Sequence, residues 1–340
     1  MQDPLAAQPW LDLFRPTHLN QIWGNQEVVS FLHEQMAQQE YKNCLLYGPP
    51  GSGKSSSLAC LKHSFPADSP MELNIIEINA SDKRRVSDVE SILVPFVRRK
   101  THMFDIKVVI LDEVDNMTIP AQRMIANVMA KSAQDWVVSK CVWYLACNDI
   151  EKMDPSLVSK FFTLQFLPID AASIKNQMLT MLFGRGVSIL DHEAFLDKVV
   201  AHSHGDVRVA INLMQASYEA RGDKSSQVLT LEDLDFVCPS PPSETMEQIV
   251  TLLMGGKIVE AISLLQNLHR LGHSRLALCK SCEATIVAKL QGDVPLLIEC
   301  LAIFAQTYTT MARGCDTPTQ IESCLVQLAT IFIQIKSRSL

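Results

Sequence analysis

The chain has 340 residues, 47% of them hydrophobic, ten cysteines and a net charge of −7. That length exceeds one ordinary domain and predicts two or three, each with an apolar fraction typical of packed cores. The acidic balance excludes nucleic-acid binding driven by overall charge and leaves only local basic patches for such contacts.

In chain order, apolar runs at 43–47, 73–79, 107–111, 141–147 and 163–167 alternate with helical patterns. Near-continuous apolar strands separated by helices predict a parallel sheet with helices on both faces. From Pro168 and Asp170 the pattern turns helical, with apolar faces at Ile174, Met178, Met181 and Leu182, at Phe195, Leu196, Val199 and Val200, and at Val207, Ala210, Ile211 and Met214. A Pro/Ser-rich connector, Cys238 to Ser243, follows. Beyond it the periodicity is helical to the end, with Ile249, Leu252 and Leu253 in one helix, Ile258, Ala261, Leu264 and Leu265 in the next, and a last long stretch over 321–335. Three regions result: 1–166, α/β; 167–237, a small helical bundle; and 244–340, all-helical, read either as a self-contained bundle or as one that packs against other subunits.

No apolar run is read as reaching the roughly 18 residues of a membrane span, and the N-terminus lacks the basic and apolar regions of a secretory signal. Cys44, Cys60, Cys147, Cys300 and Cys324 sit inside apolar runs, which reads as buried, reduced thiols of an intracellular protein. Cys279 and Cys282 form a lone Cys-x-x-Cys with no second pair at zinc-site spacing, so burial is favoured over a metal site.

Chemistry is concentrated in two places. Between Gly48 and Ser55 the chain reads Gly-Pro-Pro-Gly-Ser-Gly-Lys-Ser, after a strand run and before a helical pattern. Closely spaced glycines let backbone N–H groups face the phosphates of a nucleotide, and the following helix adds the partial positive charge of its N-terminus. Lys54 can reach the outer phosphates and the Ser55 hydroxyl can ligate Mg²⁺. About 60 residues on, the strand run from Lys107 ends in Asp112-Glu113-Val114-Asp115. Asp112 stands where nucleotidases keep a metal-side carboxylate, and Glu113 can act as general base on the attacking water. ATP or GTP binding, with hydrolysis, is the chemistry these residues predict.

The same motifs resemble the AAA+ ATPase superfamily and, within it, the small subunits of replication factor C, the clamp loader. Pro9-Trp-Leu-Asp-Leu-Phe-Arg-Pro16 resembles that family's opening motif, and Ile22-Trp-Gly-Asn25 and Glu77-Ile-Asn-Ala-Ser-Asp82 are similar to two later ones. Leu145-Ala-Cys-Asn148 resembles the sensor-1 strand, and Gly205-Asp-Val-Arg208 the start of the sensor-2 helix. Leu264 to Gly272 resembles the collar helices of the small subunit numbered two. The resemblance covers the whole chain. It implies an AAA+ module over 1–166, a helical lid over 167–237 and an oligomerising collar over 244–340.

It also implies ATP and Mg²⁺ as cofactors. The nucleotide-binding positions would be Arg15, Pro16, Gly24, Asn25, Gly48, Pro49, Pro50, Gly51, Ser52, Gly53, Lys54, Ser55, Ser56, Asp112 and Arg208, with Glu113 and Asn148 catalytic and Mg²⁺ near Ser55 and Asp112. Trp10, Arg15 and Pro16 would pack beside the adenine, a role compatible with an N-terminal hydrophobic anchor. Read locally, Asn148 is either a turn asparagine or an amide that holds water near Glu113, and Arg208 either a surface cation or a phosphate contact. The implied partners are replication factor C-like subunits in a heteropentamer, a sliding clamp and the backbone of primer–template DNA, in the nucleus and with no membrane.

The chain departs from this family in three places. The family's Ser-Arg-Cys triplet, whose arginine enters the neighbouring subunit's site, is Ser159-Lys160-Phe161 here, so Lys160 is a weakened finger or none, since lysine lacks the planar fork of arginine. After the acidic box, the expected Ala-Gln-x-Ala-Leu-Arg-Arg is Ala121-Gln-Arg-Met-Ile-Ala-Asn127, with Arg123 displaced by about one helical turn. Lys83, Arg84 and Arg85 replace a less basic segment; with Arg98, Arg99 and Lys100 they are either DNA-phosphate contacts or solvated helix ends. Two further readings stay open: a scaffold subunit that binds ATP without hydrolysing it, and another AAA+ machine, such as an origin-recognition ATPase or a branch-migration helicase, which a C-terminal winged helix would favour.

Overall fold

The computed structural model describes residues 9–65, 74–81, 85–99, 106–134, 141–184, 186–203, 205–221, 228–239, 241–315 and 317–338. They form two compact units, Met1–Val237 and Cys238–Leu340.

The first unit is built on a five-stranded parallel sheet in the order β2-β3-β4-β1-β5. The strands are β1 (Cys44–Tyr47), β2 (Ile75–Asn79), β3 (Lys107–Asp112), β4 (Cys141–Cys147) and β5 (Phe162–Gln165). Helices α1 (Trp10–Leu13), α2 (Gln26–Gln38), α3 (Lys54–Ser64), α4 (Val86–Arg98), α5 (Ile119–Gln134) and α6 (Pro155–Val158) surround it. Successive side chains along a strand point to opposite faces. Thus Leu45, Val109, Leu111, Trp143 and Leu145 pack with Val89 and Leu93 of α4 and Ile125 of α5. Their neighbours Cys44, Leu46, Val108, Ile110 and Tyr144 pack on the other face with Leu32 of α2 and Leu58 and Leu61 of α3. Two buried faces explain why these strands are apolar throughout.

All five sequence-predicted strands are present, with ends shifted by a residue or two. Lys107, the one charged residue of its run, is fully buried; its ammonium donates to the carbonyls of Val97 (2.8 Å) and Arg99 and so caps the C-terminus of α4.

The chain then forms α7 (Ala171–Phe183), α8 (His192–Ser203), α9 (Val207–Ala220) and α10 (Leu231–Val237). Their apolar faces, Ile174, Met178, Leu182, Phe195, Leu196, Val199, Ala210, Ile211 and Met214, make one core. The helical reading missed a two-residue parallel pairing of β6 (Ser188–Ile189) with β7 (Val228–Leu229), which is too short to leave a periodicity.

The second unit comprises α11 (Ser243–Met254), α12 (Ile258–Arg270), α13 (Arg275–Lys289), α14 (Val294–Ala312) and α15 (Pro318–Arg338). Cys279 and Cys282 lie in its core, and Cys279 hydrogen-bonds to Cys324. All ten cysteines are free thiols. The expectation that no stretch is long and apolar enough to cross a membrane is corrected by α14: 19 residues, mean hydropathy 1.3. Glu299 and several threonines interrupt its apolar run, while its average hydropathy stays high. In the fold, Leu296, Cys300, Phe304 and Thr307 face the bundle core at helical spacing.

Candidate active site

Parallel α/β sheets bind ligands beyond the carboxyl ends of their strands. At that edge β1 feeds the glycine loop, β3 ends in Asp112 and β4 leads into Asn148. Pairing of β1 with β4 (Tyr47 opposite Cys147) and of β3 with β4 (Leu111 opposite Leu145) brings these three ends together.

The loop depends on glycine at two close approaches. A Cβ on Gly48 (φ 150°) would lie 2.1 Å from the Phe166 carbonyl oxygen, and one on Gly51 (φ 73°) 2.0 Å from Asp206 Oδ1. Only hydrogen at these positions lets the loop pass under the end of β5 and against the lid. The Lys54 ammonium donates to the carbonyls of Gly48 (2.8 Å) and Pro49 (2.7 Å), which holds it over the loop with one proton remaining. Burial pulls the Lys54 pKa down, the Asp112 charge pushes it back up, and Arg208 lowers it further.

Burial raises the Asp112 pKa; hydrogen bonds from the Ser55 hydroxyl and the Glu113 backbone N–H (2.9 Å) oppose that rise. Its carboxylate is therefore only partly compensated, an arrangement that favours a nearby cation. Glu113 has φ 55°, rare for a non-glycine residue. Its Oε2 accepts from the Ser81 hydroxyl and from Asn116 Nδ2 (3.0 Å).

These groups line a cavity of about 470 Å³, within the usual range for small-molecule sites. Its lining includes the polar residues Asp12, Arg15, Lys54, Ser55, Asn79, Asp112, Glu113, Asn148 and Arg208 and the apolar residues Phe14, Ile22, Trp23, Ile169, Val207 and Ile211. Charged and apolar side chains in one cavity suit a nucleotide, which combines anionic phosphates with a flat, largely apolar base. Pro16, Pro50, Gly51, Gly53 and Ser56 also line it. Arg208 sits in the first turn of α9, its guanidinium 3.4 Å from Asp206, the residue that caps that helix.

Gly24, Asn25, Gly48, Pro49 and Ser52 are not in the wall. Asn25 is a brace: its amide donates to the Leu167 carbonyl (3.0 Å) and to the Ser52 carbonyl (3.4 Å), and its carbonyl accepts from the Leu167 N–H (2.8 Å). Asn25→Ala removes these bonds and places alanine at φ 50°, so a loss of about 2 kcal/mol is expected in urea unfolding. Ser52 is buried and donates to the Pro49 carbonyl (2.8 Å). Trp10 is not in the wall either: it is buried in the lid core against Tyr218, whereas Phe14 lines the cavity.

Lys160 is exposed just after α6. The base of that turn is anchored by Asp154, whose backbone N–H donates to Gln122 and whose carboxylate accepts from Arg123, both at 2.7 Å. The Ser156 hydroxyl and Arg123 hold the Asp154 carboxyl below the usual carboxylate range. Of the basic clusters, Lys83, Arg84 and Lys100 lie outside the described residues; Arg85 and Arg98 are exposed. Arg99 is exposed too, but its guanidinium stacks on Phe96 (5.6 Å) and donates to Asn74 (3.2 Å).

Sequence reasoning did not single out Asn79, Ser81, Asp115 or Asn116. All four sit at strand ends beside Asp112 and Glu113; Asn79 and Ser81 lie in the Glu77–Asp82 motif and Asp115 in the acidic box, signals that could have found them.

Residues 44–169 match the family described as ATPase family associated with various cellular activities (AAA). Among curated relatives, a probable replication factor C subunit 2 from Dictyostelium discoideum is 26% identical over 98% of this chain and 95% of its own length. Replication factor C subunit 4 of Homo sapiens is 26% identical over 92% and 88%, and a replication factor C small subunit of Methanoculleus marisnigri is 25% identical over 94% and 95%. The relatives carry different subunit numbers, so likeness to subunit two in particular is not supported. Among solved structures, the RuvB Holliday junction branch migration motor of Thermotoga maritima shares the fold, with a TM-score of 0.54 and 17% identity over 71% of this chain and 79% of that one. The match spans strand, glycine loop, acidic box and Asn148, so residues 44–169 carry an AAA ATPase domain, in a chain that is similar nearly end to end to replication factor C small subunits.

Proposed function

We propose that this chain is an ATP-hydrolysing small subunit of a heteropentameric clamp loader, which opens a sliding clamp and places it on primer–template DNA in the nucleus. The observation that carries the reading is the convergence of Lys54, Ser55, Asp112, Glu113, Asn148 and Arg208 on one cavity. The loop N–H groups and Lys54 bind the phosphates. Glu113 takes the proton of the attacking water, which the Asn148 amide orients. Arg208 links the lid to the outer phosphate. The donor set suits Mg²⁺: Ser55 and Asp112 would hold it, and it would neutralise charge on the phosphate oxygens.

The second unit supports assembly with other subunits, because Val259, Leu271 and Ile298 are large apolar residues left exposed at 82%, 78% and 61%. Lys160 is a point charge where a neighbour's site would receive an arginine, and it contributes less there than the arginine would. Arg85 and Arg98 remain for phosphate contacts with DNA.

A second reading, an ATP-binding scaffold, draws on the Glu113 carboxylate being bonded to Ser81 and Asn116, which compete with a water for it. A branch-migration motor is disfavoured by the second unit, in which the described residues are helical with no winged-helix strands.

The test is clamp loading. Complex purified with this chain should deposit a closed clamp on nicked, primed circular DNA in an ATP-dependent way, and complex lacking the chain should not. Equal loading without it contradicts the proposal.

A further inference from the structure

Asp115 lies in the short 3₁₀ turn Val114–Asn116 that follows β3, yet its hydrogen bonds go to another strand. Its Oδ2 accepts from the backbone N–H of Asn148 (3.2 Å) and from that of Asp149 (3.3 Å). Those two groups are the first beyond β4, where the chain leaves the sheet and no ladder partner meets them. The other oxygen, Oδ1, is buried without a hydrogen-bond partner among the described residues. Asp115 is half-buried, and an oxygen shielded from water without a partner is costly to keep; here the carboxylate is turned toward the exit of β4. Its charge is also felt by Lys54 and by Cys147, whose thiol is pushed up to about 12 by burial first and by Asp115 next.

We propose that Asp115 is a positioning residue of the hydrolytic site: its carboxylate clasps the two N–H groups at the exit of β4 and so fixes the direction in which Asn148 presents its amide to the cavity. The inference rests on the reading that Asn148 orients the attacking water. Asp115 itself does not line the cavity; it acts through Asn148. An asparagine side chain carries a carbonyl that can accept the same two bonds, whereas alanine cannot. Acceptor geometry and charge are therefore separable.

The first readout is hydrogen exchange of the full chain, followed in peptides spanning 144–150. In Asp115→Ala the amides of Asn148 and Asp149 should exchange about tenfold faster, with β1 and α3 of the same unit unchanged as the reference for its overall stability. Asp115→Asn should exchange as the native chain does. Unchanged exchange in the alanine variant overturns the proposal, and so does equal acceleration in both variants, which would assign the effect to charge. The second readout is the split between turnover and affinity in the assembled complex. Asp115→Ala should lower turnover by about tenfold or more while leaving affinity for a non-hydrolysable ATP analogue within about twofold; Asp115→Asn should restore turnover. Affinity falling in step with turnover contradicts a positioning role. Exchange does not depend on hydrolysis, so it judges Asp115 even where Glu113→Gln shows that this site does not turn over.

Discussion

Glu113→Gln is expected to lower ATP turnover at this site by about 10²- to 10⁴-fold, the range contributed by a positioned general base. Glutamine keeps the size and the carbonyl acceptor that Ser81 and Asn116 use, so the side chain stays where Oε2 now sits. It loses only the ability to take a proton. Affinity for ATP should therefore hold, because the groups that meet the phosphates, Lys54 and the loop backbone, are untouched. Pre-steady-state phosphate release from the assembled complex reports the drop, and equilibrium binding of a fluorescent ATP analogue reports the unchanged affinity. Turnover equal to that of the native complex would favour the scaffold reading instead.

Gly51→Ala is expected to weaken nucleotide binding by about tenfold or more with a smaller effect on global unfolding. The added Cβ would fall 2.0 Å from Asp206 Oδ1 and 2.9 Å from Asp206 Cα, at a φ of 73° that alanine resists. Backbone is involved, so rotating a side chain does not relieve the clash. Asp206 also accepts from the Arg208 N–H (2.9 Å) as the cap of α9 and pairs with the Arg208 guanidinium. The lid must therefore move away from the loop and take Arg208 with it. Strain of this kind is worth about 1–3 kcal/mol, or roughly 5- to 150-fold in affinity. Gly53→Ala is the comparison: its Cβ would meet nothing closer than 3.4 Å (Ile22), although its φ of 103° still carries backbone strain. The gap between the two variants isolates the lid contact.

Much of the site was legible in the sequence because its chemistry is local. The glycine loop, Lys54 and Ser55 are contiguous, and the acidic box follows a strand whose buried faces demand apolar residues. The sheet was equally legible, since burial on both faces leaves near-continuous apolar runs. Contacts made across strands were not. Nothing near Asp115 in the chain indicates that its carboxylate meets the exit of β4, 33 residues on. Asn25 reads as part of a motif that touches nucleotide, but its partners Ser52 and Leu167 make it a brace instead. Trp10 reads as an adenine neighbour or an N-terminal hydrophobic anchor, and the lid core claims it as the anchor. In α14, judging the run by its interruptions concealed how apolar the helix is on average.

On the proposed function, this chain works inside a multi-subunit loader of replication factor C type. Native mass spectrometry of the complex purified through a tag on this chain tests it most directly. A five-chain assembly holding one copy of this chain and other AAA ATPase subunits is expected. A homo-hexamer, or the chain alone, would contradict it.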